Sequence, residues 1–259
     1  MSVDRPTFSS AEAKPHFRKL FGHAFEMDRL DNGTRIPVGG KSIYSGENNI
    51  FVEADFSEFD GFLREASAVS ERIKNSQIMA EWLEKSGVDR RVFAAIGGFT
   101  KVYDKSFQEE EEEAENKRKD LYTGDRPVKL SEVFSLHAQQ CAEIAALGQF
   151  FLQEEGISST YFNGAVLWDR NEEFAEAHTF IPIHFQGKSY IYDPTNPTKT
   201  TEGNFPSLYS VDGDFSKAMQ QSKKTFARAT NLLSGKEVFF GMDNGTNVVA
   251  ERDIVGFTK

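Results

Sequence analysis

The sequence predicts an α+β protein, because helical and strand patterns occupy different parts of the chain. Between residues 57 and 86, apolar residues recur at intervals of three and four, the periodicity of amphipathic helices. Residues 130–155 continue in a helical pattern that ends at Gly156, a residue type typical of helix C-termini. Short apolar strands follow at residues 159–168, 177–185 and 188–192, so an antiparallel sheet is expected after the helices.

The composition is that of a globular protein with enough apolar residues for a substantial core. The chain has 259 residues, of which 39% are hydrophobic and 27% charged, and its 24 phenylalanines are expected to fill the core rather than form a binding surface. The net charge of −10 argues against nucleic acid or an anionic membrane surface as the main partner. No apolar run is long enough for membrane insertion. The oligomeric state is left open.

The beginning of the chain bears on location. Its first ten residues show no basic stretch followed by an apolar one, so no Sec signal is recognised. We therefore expect a cytoplasmic location. Secretion as an effector by a dedicated machinery stays open, because such export leaves no pattern that can be read here.

A boundary is predicted near residue 125. Five consecutive glutamates at 109–113 and the basic residues 117–119 indicate a solvated surface segment, and a turn-rich stretch at 124–127 follows it. Residues 1–125 are accordingly predicted to be a mainly helical region of unknown role. Residues 126–259 are predicted to be the catalytic core. A long amphipathic helix at 214–233 and a final hairpin around Asn244-Gly245 are expected within it.

The single cysteine, Cys141, is the most informative residue of the chain. One cysteine excludes an intrachain disulfide and a thiolate zinc cluster. If a helix begins near Gln139, Cys141 lies in its first turn, where the helix dipole and free N–H groups favour a thiolate. Ala145 and Gly148 share its side of the helix, so another element can approach closely. A buried, inert cysteine is the alternative interpretation, and for an arbitrary cysteine it is the commoner one.

The predicted hairpin brings a histidine and an aspartate together. With Gln186-Gly187 as a two-residue turn, Phe180 faces Asp193 across the ladder, and His178 lies on the same face as a diagonal neighbour of Asp193. A turn one residue longer or shorter would place the two on opposite faces. Pro182 lacks an N–H, so this strand is expected to be an edge there or to have a locally broken ladder.

Cys141, His178 and Asp193 are the predicted catalytic residues. His178 would take the thiol proton, Asp193 would orient the imidazole, and the thiolate would attack a carbonyl carbon. The oxyanion would be stabilised by the backbone N–H of Cys141 and by a side-chain amide of Gln140 or Gln139, with Gln140 preferred. Weaker histidine candidates are His184, His137, His16 and His23. The chemistry needs no metal or cofactor, and no phosphate-binding glycine loop is present.

Four short segments carry these residues in a recognisable order. They are QCAEIA at 140–145, EGI at 155–157, AHTF at 177–180 and YIYDPT at 190–195. Together they resemble the transglutaminase-like (papain-like) Cys-His-Asp superfamily, and the resemblance covers residues 130–197. It implies a papain-like α+β core in which the nucleophile helix packs on an antiparallel sheet. The pattern is most similar to bacterial glutamine deamidase toxins and effectors.

Two segments of the sequence depart from the family pattern. Thr179-Phe180 stands where the family often has Ala-Trp after the histidine, and Ala142 stands where animal transglutaminases have Trp. The acidic calcium loop and the additional β-domains of those enzymes are not recognised either. These departures weaken the case for calcium-activated cross-linking.

The resemblance and the triad together predict a thiol-dependent acyl transferase or hydrolase that acts on an amide. The favoured activity is deamidation of a protein glutamine, or transglutamination, with a protein substrate presenting a glutamine side chain or a peptide bond. A cysteine peptidase would use the same three residues, and so would acyl transfer from a thioester, although no nucleotide-binding feature supports the latter. The alternative of another class is a non-catalytic interaction module that retains the fold.

Overall fold

The computed structural model describes residues 17–20, 24–39, 50–76, 83, 87–107, 111–122, 126–169, 175–201, 203–221, 226–242 and 254–255. Helices and strands are both abundant in these ranges, which confirms the α+β expectation at this level. The described helices are a 3-10 turn at Phe56–Phe59, α1 Asp60–Lys74, α2 Arg90–Phe107, α3 Glu111–Tyr122, α4 Leu130–Ser135, α5 Cys141–Glu154 and α6 Phe215–Gln221.

The described strands form two sheets. They are β1 Phe17–Lys19, β2 Phe25–Met27, β3 Arg35–Gly39, β4 Ile50–Glu53, β5 Val128–Lys129, β6 Tyr161–Leu167, β7 Glu176–Phe185, β8 Lys188–Thr200, β9 Gly203–Val211, β10 Phe226–Asn231, β11 Glu237–Gly241 and β12 Ile254–Val255. The smaller sheet has the order β3-β4-β5, and the larger one contains the remaining strands.

Strands β6 to β11 close into a six-stranded antiparallel barrel. Their order around the ring is β6-β11-β10-β9-β8-β7, and β7 pairs back onto β6. Closure pairs every one of these strands on both sides, and alternate residues of each strand face the interior. Phenylalanines fill much of that interior, where the rings of Phe162 and Phe180 stack with centroids 5.0 Å apart and Phe240 lies 4.8 Å from Phe180. These phenylalanines are core residues, as expected from the sequence.

Helix α5 packs on the outer face of the barrel. Gly148 of α5 faces Ile181 of β7 and Phe99 of α2, and a β-carbon at this glycine would lie 3.0 Å from the Ile181 side chain. The predicted small-residue side of the helix is therefore a place of close approach to the sheet. Helices α1 and α2 pack on each other beyond it, so α5 is enclosed between barrel and helices.

The main sheet and core continue across the predicted boundary at residue 125. Strand β2 pairs with β6, and β4 pairs in parallel with β5, so each sheet contains strands from both sides. One hydrophobic cluster likewise joins Phe56 and Phe99 to Phe151 and Tyr192. The region predicted to be mainly helical also contributes strands β1 to β4.

Two local expectations need correction. The single helix expected at residues 214–233 is wrong, because among the described residues of this range the helix is Phe215–Gln221, and Phe226–Asn231 is strand β10, which pairs with β9 and β11 in the barrel. The segment after the glutamate run is not wholly solvated either, because Arg118 and Tyr122 at the end of α3 are buried. The hairpin expected at Asn244-Gly245 lies outside the described residues.

Candidate active site

The hairpin register places His178 beside Asp193. Phe185 pairs with Lys188 and Ile181 with Tyr192, as predicted from the two-residue turn. The Nε2 atom of His178 lies 3.0 Å from Oδ2 of Asp193, and both side chains are buried. The ladder towards β6 is interrupted beside Pro182, which accepts a hydrogen bond from Thr160 but has no N–H to return. The predicted contact and the broken ladder are both confirmed.

Asp193 is a completely buried carboxylate with several donors around it. The ladder between β8 and β9 breaks after Asp193, where Pro194 and Pro197 interrupt the supply of backbone donors. The released N–H groups of Thr195 and Asn196 donate to Oδ1 at 3.1 and 3.3 Å, and the Asn196 side-chain amide donates to Oδ2 at 3.0 Å. Burial alone raises the pKa of Asp193, but the positive charge of His178 and these hydrogen bonds lower it overall.

His178 connects this carboxylate to the cysteine. Burial by itself lowers the pKa of His178, but the charge and hydrogen bond of Asp193 and a hydrogen bond with Cys141 raise it to about 10. Because Nε2 is engaged by Asp193, Nδ1 is the ring nitrogen left for the thiol. The imidazole is therefore held as an imidazolium between two acceptors.

Cys141 is the first residue of α5 and is half-buried. The preceding residue, Gln140, has extended backbone angles, so the chain turns into the helix at the cysteine. The backbone N–H groups of a first helical turn have no partner within the helix, which suits them to an anionic group. The thiol thus lies near the imidazole, at the N-terminus of a helix whose dipole favours an anionic group.

The two glutamines predicted as oxyanion donors differ in their surroundings. The Gln139 amide donates to the Tyr103 hydroxyl at 3.1 Å and to the Phe107 carbonyl at 3.0 Å, so both of its hydrogens are taken by α2. Gln139 therefore binds α2 with its side-chain amide, and no amide hydrogen is left for the substrate donation that was expected of it. Gln140 is exposed beside Cys141, and its side chain accepts the backbone N–H of Glu143 in a capping box, so its own amide hydrogens are not used by that contact. The Cys141 backbone N–H and Gln140 are the better pair of donors.

Sequence reasoning missed two neighbours of the triad. The Trp168 ring, just after β6, meets the edge of the His178 ring with centroids 5.5 Å apart, and its indole N–H donates to Glu176 at 2.9 Å. This tryptophan gives His178 an aromatic neighbour from a distant part of the sequence. Asn196 is the second missed residue. An asparagine three positions after Asp193 was a readable signal for it, because side chains in such turns often bond locally.

The remaining histidines stand apart from the triad. His184 lies near the hairpin turn and is 3.2 Å from the Ser189 hydroxyl. His137 ends the turn after α4 in a left-handed conformation with φ 52°, and its ring packs on Phe107. His16 and His23 lie outside the described residues. Within the described ranges, no group of three or more His, Cys, Asp or Glu side chains is arranged to hold a metal ion.

Comparison with family models, curated proteins and solved structures found no match to this chain. Among the described residues, every helix is too short or too polar to span a bilayer.

The raised pKa of His178 predicts a pH-dependent stability. A group whose folded pKa is raised contributes its stability fully below the unfolded value, near 6.5, and loses it as pH rises towards about 10. The free energy of unfolding should fall over that interval, by on the order of 4 kcal/mol from this group. Asp193 has the opposite pH dependence. Its pKa is lowered in the folded protein, so its contribution to stability is lost only as pH falls below about 3.8.

Urea unfolding at several pH values, in parallel on His178→Gln, checks this expectation. Glutamine retains an N–H donor for Asp193 but does not titrate, so the variant should lack most of the decline between neutral and alkaline pH. Equal pH dependence in both proteins would contradict it.

Proposed function

We propose that this protein is a thiol-dependent acyl transferase or hydrolase of the transglutaminase-like superfamily, and that its reaction is the deamidation of a protein glutamine. The observation that carries the proposal is the position of His178. It is hydrogen-bonded to buried Asp193 on one side, and its raised pKa reflects an interaction with Cys141, the first residue of a helix, on the other. A nucleophile, a base and a group that orients the base are the parts that acyl transfer requires.

The proposed reaction proceeds through a thioester. The Cys141 thiolate attacks the carboxamide carbon of glutamine, and the oxyanion accepts hydrogen bonds from the Cys141 N–H and the Gln140 amide. The intermediate then collapses, the carbon–nitrogen bond breaks, and the His178 imidazolium gives its proton to the leaving ammonia. Water next attacks the thioester and loses a proton to His178, which releases glutamate and the thiolate. An amine in place of water would give transglutamination.

The architecture supports the papain-like assignment. Cys141 comes from a helix that packs against an antiparallel barrel, and His178 and Asp193 come from neighbouring strands of that barrel. The resemblance of the four sequence segments implies this division of roles between helix and sheet. The preference for glutamine over a peptide bond rests on that sequence resemblance, because a peptidase would use the same triad.

The triad also argues against a purely non-catalytic module. Asp193 is 0% exposed and His178 is 7% exposed, and burying such a pair costs several kcal/mol per ion unless all partners are supplied. A fold that served only as a scaffold would be more stable with apolar residues at these two positions. Perturbed ionisable groups next to a nucleophile are more typical of reactive sites.

Intact-mass measurement tests the proposed reaction. The full chain is incubated with glutamine-rich protein substrates, with and without an added primary amine, and Cys141→Ala serves as the control. We expect a gain of about 1 Da per modified glutamine, or addition of the amine with loss of ammonia, and neither with the variant. Cleaved fragments that depend on Cys141 would assign peptidase activity instead. Identical masses with both proteins across the substrates would contradict the proposal.

A further inference from the structure

A buried carboxylate lies in the first turn of the nucleophile helix. Glu143 is 0% exposed, and its Oε2 accepts the backbone N–H of Gln140 at 3.1 Å. Its other oxygen accepts hydrogen bonds from the Arg118 guanidinium at 2.5 Å and from the Tyr122 hydroxyl at 2.7 Å. The residue therefore caps the helix that begins at Cys141 and ties this cap to α3.

Arg118 is the centre of that tie. Its guanidinium is almost fully buried and lies over the Tyr122 ring, 4.7 Å from the centroid. Besides Glu143 it donates to the Ala138 carbonyl at 3.2 Å and to the Val38 carbonyl of β3 at 3.4 Å. The planar guanidinium of Arg118 thus connects three parts of the chain: Ala138 in the loop before Cys141, Glu143 in the first turn of α5, and strand β3 of the smaller sheet.

These contacts surround Cys141 in sequence and in space. Ala138 lies three residues before it and Glu143 two residues after it, so fixing both fixes the backbone from which the thiol projects. Burial lowers the pKa of Arg118, whereas the charges of Glu143, Tyr122 and Cys141 raise it overall, so guanidinium and thiol are near enough to interact. The titratable and charged groups that interact with Cys141 are His178, Tyr161 and Arg118. Behind them, Asp193 is bonded to His178, and Glu143 is bonded to Arg118 and Tyr122.

We propose that Arg118 is a positioning residue for the reaction at Cys141, acting through Glu143 and Ala138 to hold the start of the nucleophile helix, and with it the thiol, beside His178. This role rests on the proposed function. Helix α3, part of which was predicted to be a solvated surface segment, would then have a role in the reaction, because it supplies Arg118.

The test uses the pH profile of Cys141 alkylation by iodoacetamide, which needs no substrate. Arg118→Met alone would leave Glu143 buried without its cation, so the main variant is Arg118→Met/Glu143→Gln, in which the two charges are removed together. Arg118→Lys keeps the charge but not the planar fork. The matched control is Arg228→Met/Glu237→Gln, an exposed Arg–Glu pair on the barrel. Thermal unfolding of each protein shows whether it is folded.

Without the Arg118–Glu143 pair, the start of the nucleophile helix would no longer be held in place, and the thiol would move away from the imidazolium. We expect the double variant to be alkylated about tenfold or more slowly near neutral pH, with the acid limb of the profile moved towards that of His178→Ala. Arg118→Lys should show a smaller change in the same direction, and the exposed control should match the wild type. A folded double variant with the wild-type profile would overturn the proposal. If the double variant does not fold, a wild-type profile in Arg118→Lys would overturn it.

His178→Ala, measured in parallel, distinguishes a failure of the positioning role from a failure of the proposed function. If His178→Ala moves the acid limb and the folded Arg118 variants do not, the positioning role fails and the proposed function stands. If His178→Ala leaves the profile unchanged, the proposed function fails, whatever the Arg118 variants show.

Discussion

Replacing Asp193 by asparagine is expected to reduce turnover by on the order of a thousandfold. The carboxylate is buried and accepts hydrogen bonds from His178, Thr195 and Asn196. Asparagine has nearly the same shape, and one carbonyl oxygen can still accept from the backbone of the turn. It carries no charge, however, so it no longer stabilises the imidazolium or fixes which ring nitrogen faces Cys141.

The same substitution should also lower the free energy of unfolding by about 2–4 kcal/mol, because the buried imidazolium loses its counter-ion. Turnover is followed by the mass assay, and stability by urea unfolding at the same pH. Asp212→Asn is the matched control, since Asp212 is exposed at the end of the barrel strand β9 and should affect neither quantity. An Asp193→Asn variant with turnover within a few fold of the wild type would contradict the orienting role.

The second large effect is expected for His178→Ala, in the reactivity of the cysteine itself. An ordinary thiol ionises near pH 8.5, so few of its molecules are reactive at pH 6. Beside an imidazolium the thiolate persists at lower pH, although its intrinsic nucleophilicity is somewhat reduced. Removing His178 should therefore slow alkylation of Cys141 about tenfold or more at mildly acid pH, with a smaller effect at alkaline pH. His184→Ala is the matched control, because His184 contacts Ser189 away from the triad.

The contact between His178 and Asp193 could be predicted from the sequence because it depends on local rules. A two-residue turn at Gln186-Gly187 fixes the parity of the strands on either side, and parity alone decides whether His178 and Asp193 share a face. The start of α5 was expected near Gln139, two residues before its observed start at Cys141, and Gly156 was expected to follow its end.

What the sequence did not predict depends on contacts between distant segments. Barrel closure requires β10 to pair with β9 and β11, and periodicity alone assigned that stretch to a helix. Arg118 and Glu143 are both charged, so the sequence alone predicts that each lies on the surface. In the fold they form a buried ion pair. Trp168 reaches His178 only because β6 and β7 are adjacent. The roles of Gln139 and Gln140 also separated only when the position of α2 was known.

The central claim is that Cys141 and His178 form a thiolate–imidazolium pair, and the most direct measurement is the alkylation rate of the cysteine across pH in the wild type and in His178→Ala. Because the chain has one cysteine, every alkylated molecule reports on Cys141. We expect the wild-type rate to remain high well below pH 8.5, and the variant rate to fall there as that of an ordinary thiol does. Coincident profiles for the two proteins, or a native Cys141 that alkylates only at alkaline pH, would contradict the pair.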